Sequence, residues 1–175
     1  STPADTATWV KSKTVASSDS TKATTTNPAM TASKAPVGVI EGFFGRPWPW
    51  QARAGYADLL RELKFDFYIY APKDDRRLRQ AWREPWPPAH RMQLAELASV
   101  YRARQVQFGI GFSPFELHLK PTGDNKQALI TKLTELNQVD PDILCILFDD
   151  MRGDTPALAA RQLELVDIIC QASTA

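Results

Sequence analysis

The sequence has little of what marks a disulfide-bonded, metal-binding or membrane-spanning protein. Its 175 residues include two cysteines and two histidines, and its formal net charge is +1. No apolar run approaches the ~20 residues that a membrane span needs, and no secretory leader is visible, which favours a cytoplasmic location. A net charge this small gives no field for nucleic acid or for an anionic membrane. With 43% apolar and 23% charged residues, the composition is that of a globular domain.

The cysteines and histidines occupy positions that predict neither a disulfide nor a metal centre. Cys145 lies inside an apolar run and Cys170 on an apolar helix stripe, so we predict two buried thiols. His90 and His118 have no partner at the spacing of metal ligands, and we assign neither of them a role. The sequence therefore predicts no metal ion and no cofactor.

The chain divides at about Pro36. Residues 1–36 are mostly Ser, Thr, Ala and Lys with few large apolar side chains, which is the composition of a disordered tail or linker. No fold is predicted for them. Residues 37–175 alternate apolar runs with amphipathic segments, and this second part is predicted to be the folded domain.

Four short apolar runs predict buried parallel strands, because each is rich in β-branched or aromatic residues and is closed by Gly, Pro or Asp. They are "VGVIEGF" (37–43), "FDFYIYAP" (65–72), "VQFGIGFSP" (106–114) and "DILCILFDD" (142–150). Apolar stripes at helical spacing follow them: Tyr56, Leu59, Leu60 and Leu63; Leu94, Leu97, Ala98 and Tyr101; Leu129, Leu133 and Leu136; Ala159, Leu163, Val166 and Cys170. Thr155 as N-cap and Pro156 behind it predict where the fourth helix begins.

Strand and helix thus alternate four times, which is the pattern of an α/β fold. The strands start about 30 to 40 residues apart, close to the spacing in a (β/α)8 barrel. We therefore predict the first four βα units of such a TIM barrel. A doubly wound sheet is the alternative, although no G-x-G-x-x-G follows the first strand.

Polar residues and glycines follow each predicted strand at its carboxyl end, where α/β folds build their sites. These groups are residues 42–48, 72–75, 113–116 and 149–150. Because the carboxyl ends of parallel strands meet at one edge of the sheet, the four groups are predicted to share one rim.

Four motifs in this order resemble the catalytic domain of family 84 glycoside hydrolases, the O-GlcNAcase-like β-N-acetylglucosaminidases. The motifs are "GVIEGFFGRPW" (38–48), "YIYAPKDD" (68–75), "WRE" (82–84) and "LFDD" (147–150), and the similarity covers residues 37–171. The resemblance implies a TIM-barrel domain that removes terminal β-linked N-acetylglucosamine from glycoconjugates, among them O-GlcNAc proteins, with retention of configuration. It also implies that the acetamido oxygen of the substrate is the nucleophile, without a cofactor.

The resemblance assigns roles to individual residues. It implies that Asp149 accepts the acetamido N–H and stabilises the developing positive charge, and that Asp150 is the general acid and then the general base. The charge of Asp149 would raise the pKa of Asp150 and keep a proton on it near neutral pH. Gly42 is expected to contact a sugar hydroxyl through its backbone, and Lys73 to bind the sugar or the site carboxylates. Phe44 stands where the family often has tyrosine, so a hydroxyl contact is absent there.

The residues alone leave two alternative functions open. Both "KDD" (73–75) and "DDMRGD" (149–154) have the carboxylates for a Mg²⁺-dependent α/β enzyme. The chain could also be a non-catalytic glycan-binding fragment, because four βα units are half of a barrel. For that reason we expect the 175-residue chain alone to show no glycosidase turnover. Four tryptophans are predicted either to line a sugar site or to pack in the core and rim: Trp48, Trp50, Trp82 and Trp86.

Overall fold

The computed structural model describes residues 7–10, 35–117, 123–149 and 154–173. The strands are β1 (Ala7–Val10), β2 (Gly38–Glu41), β3 (Phe67–Tyr70), β4 (Gln107–Phe112) and β5 (Ile143–Leu147). The α-helices are α1 (Trp50–Glu62), α2 (Pro88–Ala103), α3 (Gly123–Asn137) and α4 (Leu158–Ala172), and a short 3₁₀ helix spans Arg76–Leu78. None of the helices in the described ranges is long and apolar enough to cross a membrane.

Strands β2 to β5 form a parallel sheet in which each strand pairs with its neighbour in the chain. A helix follows each of these strands, so the predicted α/β class is confirmed. A doubly wound sheet reverses its strand order at a switch point. The order of the four parallel strands here has no such reversal, which contradicts the dinucleotide-fold alternative.

Strand β1 lies on the outer edge of β5 and runs antiparallel to it, with Ala7 opposite Leu147 and Val10 opposite Leu144. The sequence predicts no fold for residues 1–36, and of these the structure describes residues 7–10, 35 and 36. Because β1 occupies the edge of β5, the other edge of the sheet is β2, which pairs with β3 alone among the described strands.

The two faces of the sheet carry different side chains. The face toward the helices is large and aromatic, and Tyr68, Tyr70, Phe108 and Phe112 from this face are almost completely buried in the main core. The opposite face is smaller: Phe67, Ile69, Ala71 and Cys145 form a separate cluster on it. Strand β4 places Gly109 and Gly111 there, because a Cβ on Gly109 would lie 2.8 Å from Ile69 and one on Gly111 would lie 2.6 Å from Ala71.

Two of the four predicted helix stripes are confirmed in full. Helix α2 buries Leu94, Leu97, Ala98 and Tyr101, and helix α3 buries Leu129, Leu133 and Leu136. Exposed apolar residues occur in both helices, Met92 on α2 and Ile130 on α3, but they lie outside the predicted stripes.

The other two stripes are wrong in part. Helix α1 buries Arg53, Ala57 and Leu60, whereas Leu59 and Leu63 are exposed. Helix α4 starts at Leu158, behind the predicted cap at Thr155, and its buried residues are Leu165 and Ile169.

The predicted burial of Cys170 is therefore wrong, because Cys170 is exposed while Cys145 is buried. Leu163, from the same predicted stripe, is 65% exposed. Helix α4 is apolar on more than one side, so spacing alone gave the wrong face. Both thiols are free, as the sequence predicts.

Candidate functional site

The carboxyl ends of three strands bring one carboxylate, one ammonium group and one hydroxyl together. Lys73, after β3, forms an ion pair between its Nζ and the Oδ2 of Asp149, after β5. Ser113, after β4, donates its hydroxyl to the Oδ1 of Asp149 over 3.4 Å. The side chains of Lys73 and Asp149 are 13% and 22% exposed. Asp149 is thus held from two neighbouring strands while it remains open to solvent.

Phe44 lies beside this pair on the loop between β2 and α1. Its ring is 78% exposed, with Lys73 Nζ 5.8 Å and the guanidinium carbon of Arg79 5.9 Å from the ring centre. Gly42 begins the same loop, and its N–H donates to Ile40 O over 2.9 Å. A Cβ on Gly42 would meet only Ile40 at 3.6 Å, so packing within the chain does not require glycine at this position.

Of the five predicted site residues, the structure brings Lys73, Asp149 and Phe44 together, with Gly42 on the same loop as Phe44. Asp150 lies outside the described residues. Arg79 is buried beside Phe44 and is not among the predicted site residues, because a basic run between Asp75 and Glu84 reads as a solvated face. No signal in the sequence separates it from its exposed neighbour Arg76.

Cys145 lies in β5 on the buried face below this rim. Burial raises the pKa of its thiol to about 11, and the charge of Asp149 adds to the effect. The thiol is therefore protonated near neutral pH and is a poor nucleophile. It is a packing residue in this structure.

Asp75 is surrounded by donors from the protein. Its Oδ2 accepts from Trp86 Nε1 at 2.9 Å and Tyr70 OH at 3.1 Å and lies 3.4 Å from His90 Nε2. Its Oδ1 accepts the Arg77 N–H at 3.1 Å. Burial opposes ionisation of Asp75, but the hydrogen bonds from His90, Trp86 and Tyr70 outweigh it and lower its pKa.

The contacts of Asp75 count against the alternative of a Mg²⁺-dependent enzyme. Both oxygens of Asp75 are already used by protein groups, so the "KDD" segment offers a cation only the exposed carboxylate of Asp74. Within the described ranges, no group of three His, Cys, Asp or Glu residues could hold a metal ion. His90, to which the sequence assigns no role, contacts Asp75 and stacks on Trp86 with ring centres 5.7 Å apart. His118 lies outside the described residues.

A buried ion pair joins α1 to Glu41, the last residue of β2. Arg53 of α1 donates from Nε and Nη2 to the two carboxylate oxygens of Glu41, at 2.9 and 2.7 Å. Tyr68 also donates its hydroxyl to Glu41, and Arg53 covers the rings of Trp50 and Tyr70 at 4.8 and 5.0 Å. Burial alone would lower the pKa of Arg53, but Glu41 raises it through its hydrogen bonds and its charge.

The tryptophans are used mainly for packing. Trp82 and Trp86 are buried in the core, while Trp48 stacks on Tyr56 with ring centres 4.4 Å apart. Trp50 stacks on Tyr70 at the edge of a cavity of about 840 Å³ between the loops after β2 and β3. Neither Lys73 nor Asp149 lines this cavity. The stacking contacts of the tryptophans therefore favour packing in the core and rim over a place in the sugar site.

Comparison with known proteins identifies the family to which this chain is similar. The family described as beta-N-acetylglucosaminidase matches residues 37–173. The "Protein O-GlcNAcase" of Rattus norvegicus and that of Mus musculus are each 35% identical to this chain over 117 residues, which is 65% of the chain and 12% of each relative.

Two solved structures have the same fold over most of the chain. A mutant of the O-GlcNAc hydrolase of Thermobaculum terrenum superposes with a TM-score of 0.69 at 26% identity, over 78% of this chain and 32% of that one. CpGH84B superposes with a TM-score of 0.67 at 31% identity, over 76% of this chain and 24% of that one. The fold is thus the α/β fold of TIM-barrel-like glycoside hydrolases.

This chain belongs to the beta-N-acetylglucosaminidase family. The part of it that matches the two curated relatives spans 12% of their length. The resemblance predicted from the four motifs is confirmed.

Proposed function

We propose that this chain forms the first four βα units of a (β/α)8 barrel, and that the complete barrel hydrolyses terminal β-linked N-acetylglucosamine from glycoconjugates, including O-GlcNAc proteins. The observation that carries the proposal is the Lys73–Asp149 pair at the carboxyl rim, in a chain of this family. In a barrel this rim is where the βα loops form the active site.

The proposed mechanism uses the substrate's acetamido group in place of a protein nucleophile. The acetamido oxygen attacks the anomeric carbon, the glycosidic C–O bond breaks, and Asp150 gives its proton to the leaving oxygen. Asp149 accepts the acetamido N–H and stabilises the positive charge of the oxazoline-like intermediate. Asp150 then takes a proton from water, and the water oxygen attacks the anomeric carbon. This attack opens the oxazoline ring, so the anomeric configuration is retained overall.

The neighbours of Asp149 support its role as an acceptor. Lys73 and Ser113 contact its two oxygens from the ends of β3 and β4. An acceptor fixed from two sides loses little freedom when the substrate arrives, so it orients the acetamido group at low entropic cost. Its negative charge also favours the protonated form of the adjacent Asp150, which suits a general acid.

The sugar is proposed to meet the loop that follows β2. Gly42 approaches a hydroxyl through its backbone, where a side chain would intrude. Phe44 provides an exposed aromatic edge beside Lys73 but no hydroxyl. A four-stranded half of a barrel lacks the rim of the other strands, so we propose that the 175-residue chain alone has no measurable turnover.

Replacing Asp149 by Asn tests the acceptor role. The amide keeps the shape but loses the charge that stabilises the intermediate and pairs with Lys73, so kcat should fall by about 10²–10³-fold. The measurement is turnover of an aryl β-N-acetylglucosaminide by a polypeptide that carries these residues in a complete barrel. Asp140→Asn is the control, because Asp140 is exposed and precedes β5, whereas Asp149 follows β5 at its other end. A near-normal rate for Asp149→Asn contradicts the assignment.

A further inference from the structure

The loop between β3 and α2, residues 71–87, connects several parts of the rim. Leu78 O accepts the N–H of Ser113 at 2.9 Å, and Trp82 Nε1 donates to Phe115 O at 3.2 Å. Through these bonds the loop holds the end of β4. Lys73 of the same loop reaches Asp149 after β5. One loop therefore sets the relative positions of three strand ends.

The far end of this loop is fixed by a buried charged pair on α3. Glu135 accepts the N–H of Trp86 at 2.6 Å and also pairs with Lys132 at 2.7 Å. Lys132 donates to Glu84 O at 3.2 Å and lies 4.4 Å from the ring centre of Trp86. Burial lowers the pKa of Lys132, although its bond to Glu135 opposes this. Trp86 is thus fixed by α3 through both its backbone and its ring.

Asp75 joins the fixed end of the loop to the end that carries Lys73. Through its carboxylate it contacts Trp86 of the loop, Tyr70 of β3 and His90 of α2. Its own N–H donates to Pro72 O at 3.0 Å, which closes a turn with Lys73 and Asp74 inside it. The direction of the Lys73 side chain therefore depends on where Asp75 is held.

We propose that Asp75 is a positioning residue of the candidate site: by collecting donors from β3, the loop and α2, it fixes the turn that directs Lys73 at Asp149. It acts through Lys73 and touches no substrate. The inference rests on the proposed function only in treating the Lys73–Asp149 pair as part of an active site, since the contacts of Asp75 are independent of any reaction.

The test is Asp75→Asn in the 175-residue chain, with trace acetylation of each lysine measured by mass spectrometry. The amide replaces one acceptor oxygen with an NH₂ group that faces donors, so the turn loosens and Lys73 leaves Asp149 more often. We expect acetylation of Lys73 to rise on the order of threefold. This is the degree to which a partly exposed ion pair such as Lys73–Asp149 protects its lysine from the reagent. Because acetylation requires no turnover, its outcome is separate from the success of the proposed function.

Asp74→Asn is the matched control, since Asp74 is the exposed neighbour inside the same turn. Lys132, with a side chain that is 2% exposed, reports on opening of the helix layer. The proposal predicts a rise at Lys73 in Asp75→Asn, no rise at Lys132, and no rise at Lys73 in Asp74→Asn. Equal rises at Lys73 in both variants, or an unchanged Lys73 in a folded Asp75→Asn, overturn it.

If Asp75→Asn opens the whole domain, so that Lys132 is also acetylated, the variant Tyr70→Phe tests whether Asp75 positions Lys73. This change removes one donor of Asp75 and keeps the aromatic ring in the core. A smaller rise at Lys73, with Lys132 unchanged, supports the proposal. No change at Lys73 in Tyr70→Phe then overturns it.

Discussion

Asp150→Ala is expected to lower kcat/KM by about 10²–10⁴-fold on β-N-acetylglucosaminides with poor leaving groups, and much less on activated aryl glycosides. A poor leaving group departs only when its oxygen is protonated, and the proposal gives that proton to Asp150. An activated phenolate leaves without one. The pattern across the two substrates therefore identifies the general acid more sharply than the loss on either substrate alone.

The comparison uses one alkyl and one nitrophenyl β-N-acetylglucosaminide, with the variant in a complete barrel. Asp167→Ala is the control, because Asp167 is an exposed carboxylate near the end of α4 and is not among the candidate site residues. Both substrates should be turned over normally by this control. An equal loss on the two substrates in Asp150→Ala would mean that Asp150 is not the acid.

Arg53→Met is expected to lower the free energy of unfolding by about 3–5 kcal/mol, because it leaves Glu41 buried without its cation. The Glu41 side chain is 0% exposed and that of Arg53 is 5% exposed, so water cannot replace the guanidinium. Methionine fills much of the same volume, which keeps the loss of packing small. The effect is therefore mainly that of an uncompensated buried charge.

Urea unfolding followed by circular dichroism measures this loss. Arg104→Met is the matched control, because Arg104 forms a similar bond to Asp58 at 2.8 Å with both side chains exposed. Solvent-exposed ion pairs contribute little to stability, so this variant should stay close to the parent chain. Similar losses in the two variants contradict the importance given to the buried pair.

The sequence predicted the elements whose signal is local. The four parallel strands are short apolar runs closed by turn residues, and all four are confirmed near their predicted positions. The stripes of α2 and α3 are confirmed because their apolar residues recur at helical spacing on the side that packs into the core. The meeting of Lys73 with Asp149 also followed from strand ends alone, since parallel strands bring their carboxyl ends to one edge.

What the sequence could not predict depends on pairs of residues far apart in the chain. Arg53 is buried because Glu41 lies opposite it, and no spacing rule connects a strand residue with a helix residue of another element. Asp75 and His90 are in the same situation, since each looks solvent-exposed until the loop folds over them. The cytoplasmic location and the roles of Gly42, Phe44, Lys73, Asp149 and Asp150 stay predictions.

The central claim is that the acetamido oxygen of the substrate is the nucleophile in this family member. It is tested most directly by aryl β-N-acetylglucosaminides whose acetamido methyl group carries zero, one, two or three fluorine atoms, assayed with the complete barrel. Fluorine withdraws electrons and makes the oxygen a weaker nucleophile. The account predicts that kcat/KM falls at every step of the series, whereas a flat series would contradict it and indicate attack by water or by a protein carboxylate.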